Sequence, residues 1–331
     1  MTDPPARPLG NEAITAQLEK LAAGSGSGQT RIQHAIIMAG RPGIGKFKTA
    51  LWWAARLKCQ QGVTCTGTCP DCRQIAAGSH ADLILLEPAE AARAISIAET
   101  RDLIRRMAFK PLRPGPRIAI IRKAGRLSLP AQSSLLKLLE EPPGFAVIVL
   151  VADNPSSLLP TIRSRCRLIR FGPLADDTVT DILELAGRSP DLARRAALAS
   201  RGSAGRALAH DDESLDEHRR LLEDFEEFSS RQASPEGLAE RLIQSQATHS
   251  NEGPGLEDLL EWQVLKVRAS LGRPVVAASD VLATALGALG RNDTRRLLAE
   301  AELTRTTMRS LLANANAKLA IKNLLISMAS Q

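Results

Sequence analysis

The chain has 331 residues, of which 44% are hydrophobic and 24% charged, with a formal net charge of +7. These values exclude a low-complexity or fibrous chain and allow two or three packed cores. The basic balance fits an anionic partner such as nucleic acid and a well-solvated basic surface about equally, and aromatics are only 3% with no Tyr, which argues against a single-strand binder built on stacking platforms.

The opening MTDPPARPLG lacks an apolar h-region, and no run of about 18 apolar residues follows, so neither a secretory signal nor a membrane span is expected. NEAITAQLEKLAAG reads as a first helix, capped by Asn11, lined by Ile14, Leu18 and Leu21, and ended by Gly24. GSGSGQ reads as a surface loop. Ala35–Ala39 is a buried-strand run that feeds a glycine loop, and FKTALWWAARLK continues as a helix.

Further strand candidates are Asp82–Leu86, Arg117–Ile121, Phe145–Val151 and Arg167–Phe171. Helical patterns separate them. One carries Ile97, Arg101, Ile104 and Ala108 at helical spacing; another starts near Pro130 and stops at Pro142. The alternation predicts an α/β domain with a mostly parallel sheet over residues 1–171. Beyond it, DTVTDILELA, PDLARRAALAS and SAGRALAH predict a small helical lid over 172–210. Residues 211–331 read as a further all-α domain, with a loop at Thr248–Leu256 and one ambiguous strand-like patch, RPVVAAS. No short repeat and no long heptad run occurs.

The glycine loop is AGRPGIGKFKTA. Gly40, Gly43, Gly45 and Lys46 fit the G-x-x-x-x-G-K pattern, in which backbone N–H groups and a helix N-terminus hold phosphates. The next residue should be a Ser or Thr whose hydroxyl binds Mg²⁺, and here it is Phe47. Thr49, two residues on, lies about 200° round the helix and points elsewhere. The acidic residues that complete the metal site in P-loop ATPases follow a buried strand. After RIAII this chain has Arg122 and Lys123, whose charge repels a cation. Two independent losses on the metal side predict no hydrolysis at this site and no Mg²⁺ site. ATP or ADP binding without hydrolysis stays open, as does a loop kept only because it packs well.

Four of the five cysteines, Cys59, Cys65, Cys69 and Cys72, lie in one short segment. Without an export signal, such crowding points to tetrahedral Zn²⁺ before disulfides; free or redox-active thiols are the alternative. His80 is a possible substitute ligand but fits a loop or capping role better. Cys166 reads as a small buried hydrophobe. Arg101, Arg105, Arg106 and Lys110 on one helix read as a solvated face.

A strand–P-loop–helix, a four-Cys insert, SSLLKLLEEPP and the triplet Ser164-Arg165-Cys166, in that order, resemble the AAA+ clamp-loader family of bacterial DNA polymerase III. The resemblance spans the chain and is strongest from Asn11 to Phe171. The cysteine spacing, C-x5-C-x3-C-x2-C, departs from the family's usual C-x8-C-x2-C-x2-C. The resemblance implies an AAA+ domain with a zinc insert, a helical lid and a C-terminal helical collar that oligomerises. It also implies that Arg165 is an arginine finger toward ATP on an adjacent subunit, a role worth several powers of ten in rate. The implied partners are the gamma/tau and delta subunits in a hetero-pentamer, with primed DNA and the sliding clamp reached through that complex, in the bacterial cytoplasm. Arg206 falls at the family's second sensor arginine and is given no catalytic role. An active AAA+ ATPase of the motor type is a competing reading, opposed by Phe47, Arg122 and Lys123. A zinc-containing DNA-binding module outside a loader is another, opposed by the S-R-C triplet and the helical last third.

Overall fold

A computed structural model describes residues 7–23, 34–61, 67–89, 94–229, 238–240, 242–243, 256–272, 294–312 and 316–329. Gly24, the GSGSGQ loop, Cys65, RPVVAAS and most of the Thr248–Leu256 loop lie outside the described residues. The chain divides into two compact units: residues 1–182 with 202–205, and 183–201 with 206–331.

The first unit is built on five parallel strands: β1 (Ala35–Ala39), β2 (Leu83–Leu86), β3 (Arg117–Ile121), β4 (Ala146–Ala152) and β5 (Arg167–Arg170), in the order β2-β3-β4-β1-β5. The three central strands are buried throughout and read as continuous apolar runs, as a sheet covered on both faces requires. Successive side chains alternate between two cores. Ile37, Ala119, Ile121, Ile148 and Leu150 pack with α4 (Ile97–Met107) and α5 (Leu129–Glu140). Ile36, Met38, Ile118, Ile120, Val147 and Val149 pack with α1 (Glu12–Ala23), α2 (Lys46–Lys58) and α3 (Pro70–Ala76). Helices α1 and α2 are tied together by Trp53 Nε1, which donates to Leu18 O at 2.9 Å. The α/β expectation therefore holds, with β4 inserted between β1 and β3.

Asn11 stands at the cap position expected of it, directly before α1; its φ is 55°, and its main-chain carbonyl takes the Ile14 and Thr15 N–H groups at 2.8 and 3.1 Å. One local expectation needs correction. The buried residues of α4 are Thr100, Leu103 and Met107, with Ile104 half-buried against the same core; Ala108 is exposed, and so is Arg101, as the solvated-face reading has it. The rotation follows from the helix start. Ser96 Oγ accepts from Glu99 N, and Glu99 Oε2 accepts from Ser96 N at 2.7 Å, a capping box that fixes where the first turn begins. Arg105, Arg106 and Lys110 are exposed, as a solvated face requires.

Among the described residues, the elements that follow β5 are helices. The short α6 (Pro160–Arg165) precedes β5; then come α7 (Asp176–Leu185), α8 (Pro190–Ser200) and α9 (Ala204–Ala209). The second unit continues with α10 (Asp212–Ser229), α11 (Leu256–Ser270), α12 (Thr294–Leu312) and α13 (Ala317–Ala329). Its core joins Phe225, Trp262, Ile321, Leu324, Leu325 and Met328, with Phe225 and Trp262 edge-on at 4.8 Å. Lys266 lies 4.5 Å over the Trp262 ring and pairs with Glu226 at 3.0 Å.

Candidate functional site

The glycine loop leaves β1 and ends at α2. Gly40 is required by close packing: a Cβ there would lie 2.6 Å from Phe171 O and 2.7 Å from Ile44 Cδ1. Gly45, at φ 89°, opens α2 with no side-chain cap, which leaves the first-turn N–H groups for an anion. The loop carbonyls are already engaged. Lys46 Nζ donates to Gly40 O at 2.6 Å and Arg41 O at 2.5 Å, Ser203 Oγ donates to Pro42 O at 3.0 Å, and Gly205 N donates to Gly43 O at 2.9 Å. Lys46 is buried and also pairs with Asp153 Oδ1 at 2.9 Å, just beyond β4. To meet a phosphate, its ammonium must exchange these partners.

The metal side of the loop holds a different pair. The Arg122 guanidinium lies over the Phe47 ring, 4.6 Å from its centroid, and Arg122 Nη1 donates to Glu87 Oε2 at 2.8 Å. A cation–aromatic stack of this exposure is worth about 0.5–1 kcal/mol. The two residues that depart from the ATPase pattern thus touch each other, at the start of α2 and the end of β3. Lys123 follows at φ 52° and opens a short 3-10 turn. Thr49 is buried and its hydroxyl donates to Gly45 O at 3.0 Å, so it faces its own helix and not the loop mouth.

Three of the four cysteines come together. The sulfurs of Cys59, Cys69 and Cys72 all lie within 4.8 Å of one another, and Cys59 and Cys69 are 3.8 Å apart. Zn–S bonds of about 2.3 Å in a tetrahedron place sulfurs roughly 3.8 Å apart, so the donor set fits zinc. Cys72 N donates to Cys69 Sγ at 3.4 Å. Burial first, then the neighbouring Cys69 and Cys59, push the Cys72 thiol far above its ordinary range; a bound cation reverses that preference. Bound zinc would supply folding energy, with Cys65 available as a further donor in the same segment.

The cysteines are anchored by their neighbours. Lys58, next to Cys59, pairs with Asp82 at 2.7 Å, and both side chains are sealed from solvent. Asp82 also accepts from Leu112 N at 2.7 Å and Arg113 N at 3.0 Å. Asp71, between Cys69 and Cys72, pairs with Arg113 at 2.6 Å. His80 is buried beside this network: Nδ1 accepts from Asp82 N at 3.0 Å and Nε2 lies 3.4 Å from Asp71 Oδ1. It holds a loop in place and does not join the sulfurs. Cys166 is buried in the sheet core, where burial raises its thiol to about 12.

Arg165 ends α6. Nη1 donates to Thr161 O at 3.0 Å and Ser164 Oγ at 3.3 Å, and Nη2 lies 2.6 Å from Glu140 Oε1. Its side chain is 36% exposed. Arg206 is half-buried on α9. Sequence reading missed Asp153, Glu87 and Glu140, the carboxylates that pair with Lys46, Arg122 and Arg165. Asp153 and Glu87 had a local signal, each being an acid directly after a strand.

A parallel sheet in this order, with a glycine loop after its first strand, a cysteine cluster before the second and an S-R-C arginine before the fifth, has the layout that the clamp-loader resemblance implies. The profile of the family described as DNA polymerase III, delta subunit, matches residues 15–175. The DNA polymerase III subunit delta' of Pseudomonas aeruginosa is 30% identical over 271 residues, 70% of this chain and 78% of that one. That of Bacillus subtilis is 30% identical over 247 residues, 72% and 73% of the two chains. The DNA polymerase III subunit tau of Escherichia coli is 32% identical over 202 residues, 59% of this chain and 31% of that one. The chain belongs to the delta-prime subunit family of DNA polymerase III.

Proposed function

We propose that this clamp-loader subunit does not hydrolyse ATP itself and instead serves the ring by assembly and by presenting Arg165 to a neighbouring subunit's ATP. The observation that carries this reading is the Arg122–Phe47 stack. Metal-assisted phosphoryl transfer needs a hydroxyl and an acid at these two positions. An aromatic ring and a guanidinium, held by Glu87, stand there instead. The motor-type ATPase reading needs both positions to be otherwise. ATP or ADP in the Gly40–Lys46 cradle would be held without turnover.

Arg165 is the complementary half. It is accessible, cationic and mounted on a helix end, whereas the nucleotide cradle of its own subunit lacks a metal side. The partners are the gamma/tau and delta subunits, with clamp and primed DNA reached through the assembled loader. Among the described residues no helix is long and apolar enough to cross a membrane. Zinc held by Cys59, Cys69 and Cys72, with Cys65 as the fourth ligand, would tie the start of α3 to the end of α2.

The purified chain is expected to show no ATP turnover, with or without primed DNA. DNA-stimulated turnover by the isolated protein would defeat the reading. Elemental analysis is expected to give about one zinc per chain, as a single four-cysteine site requires. A folded, metal-free protein would refute the cysteine assignment without touching the rest.

A further inference from the structure

The environment of Arg165 points to a second residue. We propose that Glu140 is a positioning residue that orients the Arg165 guanidinium for presentation to a phosphate on a neighbouring subunit; this rests on the reading of Arg165 as acting in trans.

Both side chains project from helix ends. Glu140 is the last residue of α5 and Arg165 the last of α6. The two ends are fixed relative to each other by a buried glutamine. Gln132, inside α5, donates through Nε2 to Leu127 O at 3.1 Å and Ser157 O at 3.3 Å, and its Oε1 accepts from Leu159 N at 2.8 Å, at the entry to α6. Ile162 then buries α6 in the same core as Leu135 and Leu139 of α5. The packed backbone therefore holds the two helix ends side by side, and from there the Glu140 and Arg165 side chains meet at 2.6 Å.

An exposed arginine samples many rotamers, and ordering it at an interface has an entropic cost. Here Thr161 O, Ser164 Oγ and Glu140 Oε1 confine it before any partner arrives. A guanidinium has five N–H donors, so these three acceptors leave donors for a phosphate. The Glu140 carboxylate is 47% exposed. An ion pair this accessible is weak and screened, and it cannot withhold the arginine from a more highly charged triphosphate. It can set the direction from which the arginine approaches.

The test uses a reconstituted loader whose other nucleotide sites are silenced by substitution of their loop lysines, so that turnover reports the site facing Arg165. Glu140→Gln is expected to lower kcat about three- to tenfold, with KM for ATP and subunit assembly unchanged. Arg165→Ala is expected to lower kcat further, and the double variant to match Arg165→Ala, because Glu140 acts only through the arginine. Turnover by Glu140→Gln that is unchanged or faster, while Arg165→Ala is impaired, overturns the role of Glu140 and leaves the finger standing. An added loss in the double variant also overturns it, since that marks a structural role. Full activity of Arg165→Ala removes the trans-acting arginine and this proposal with it.

Discussion

Two ion pairs in the first unit are built from similar charges and placed oppositely. Lys58 and Asp82 are sealed, and together they hold nearby backbone: Leu112 and Arg113 N–H groups donate to Asp82, Lys58 donates to the Arg113 carbonyl, and the Arg117 guanidinium lies 3.6 Å from Asp82. Arg165 and Glu140 meet at 2.6 Å with both side chains over a third exposed. A sealed pair cannot exchange partners without leaving a bare charge in a low dielectric, so it serves as a clamp. A half-exposed pair exchanges freely and adds little stability, so it suits a residue that must meet another molecule. Burial, more than residue type, separates a pair that can only hold the fold from one that is able to exchange its partners.

The contrast breaks first if the sealed pair proves dispensable. Asp82→Ala leaves Lys58 buried and unpaired and is expected to cost about 3–5 kcal/mol in denaturant unfolding. A loss below about 1 kcal/mol would mean that the pair is not a clamp. The same site sets a pH signature. Burial alone would raise the Asp82 carboxyl, but Lys58 and the two N–H groups outweigh it and hold the acid below its ordinary range. His80 is also held low, by burial and then by Lys58. Groups lowered on folding contribute fully above their unfolded values, about 3.9 and 6.5, and lose that contribution as pH falls through the folded ones. Wild-type stability should therefore decline from neutral pH toward acid, and Asp82→Asn should flatten the lower part of that decline. An unchanged profile in the variant would place the acid-sensitive group elsewhere.

An intermediate effect is expected at the Phe47–Arg122 stack, which is exposed and electrostatic. Arg122→Ala should cost about 0.5–1 kcal/mol and should confer no ATP turnover, because the loop still lacks a metal-binding hydroxyl and acid. Turnover in that single variant would show that Arg122 alone had blocked an otherwise competent site.

Much of the first unit was legible in the sequence. Apolar runs marked four of the five strands, with β3 placed at Arg117–Ile121 and β4 only one residue off, while β5 showed only a Leu-Ile centre between arginines. Phe47 and Arg122 each stood out alone, because each breaks a short motif. Their contact was not legible: it joins residues 75 positions apart through a sheet order that local pattern does not encode. Glu140 was hidden for the same reason, as one of two adjacent glutamates at a helix end with nothing local to pick it out. The face of α4 was misread because spacing gives a period without a phase. The phase came from the Ser96–Glu99 cap.

The account turns on Arg165 acting outside its own subunit. Removing a half-exposed side chain should change the chain's unfolding free energy by no more than about 0.5 kcal/mol. ATP turnover at the neighbouring site of a reconstituted loader should fall by about three orders of magnitude or more. The direct measurement is therefore DNA-stimulated turnover by loaders carrying wild-type or Arg165→Ala subunits, at equal assembly. Loss of the neighbour's turnover with the fold intact is the predicted result, and equal turnover by the two loaders would contradict the account.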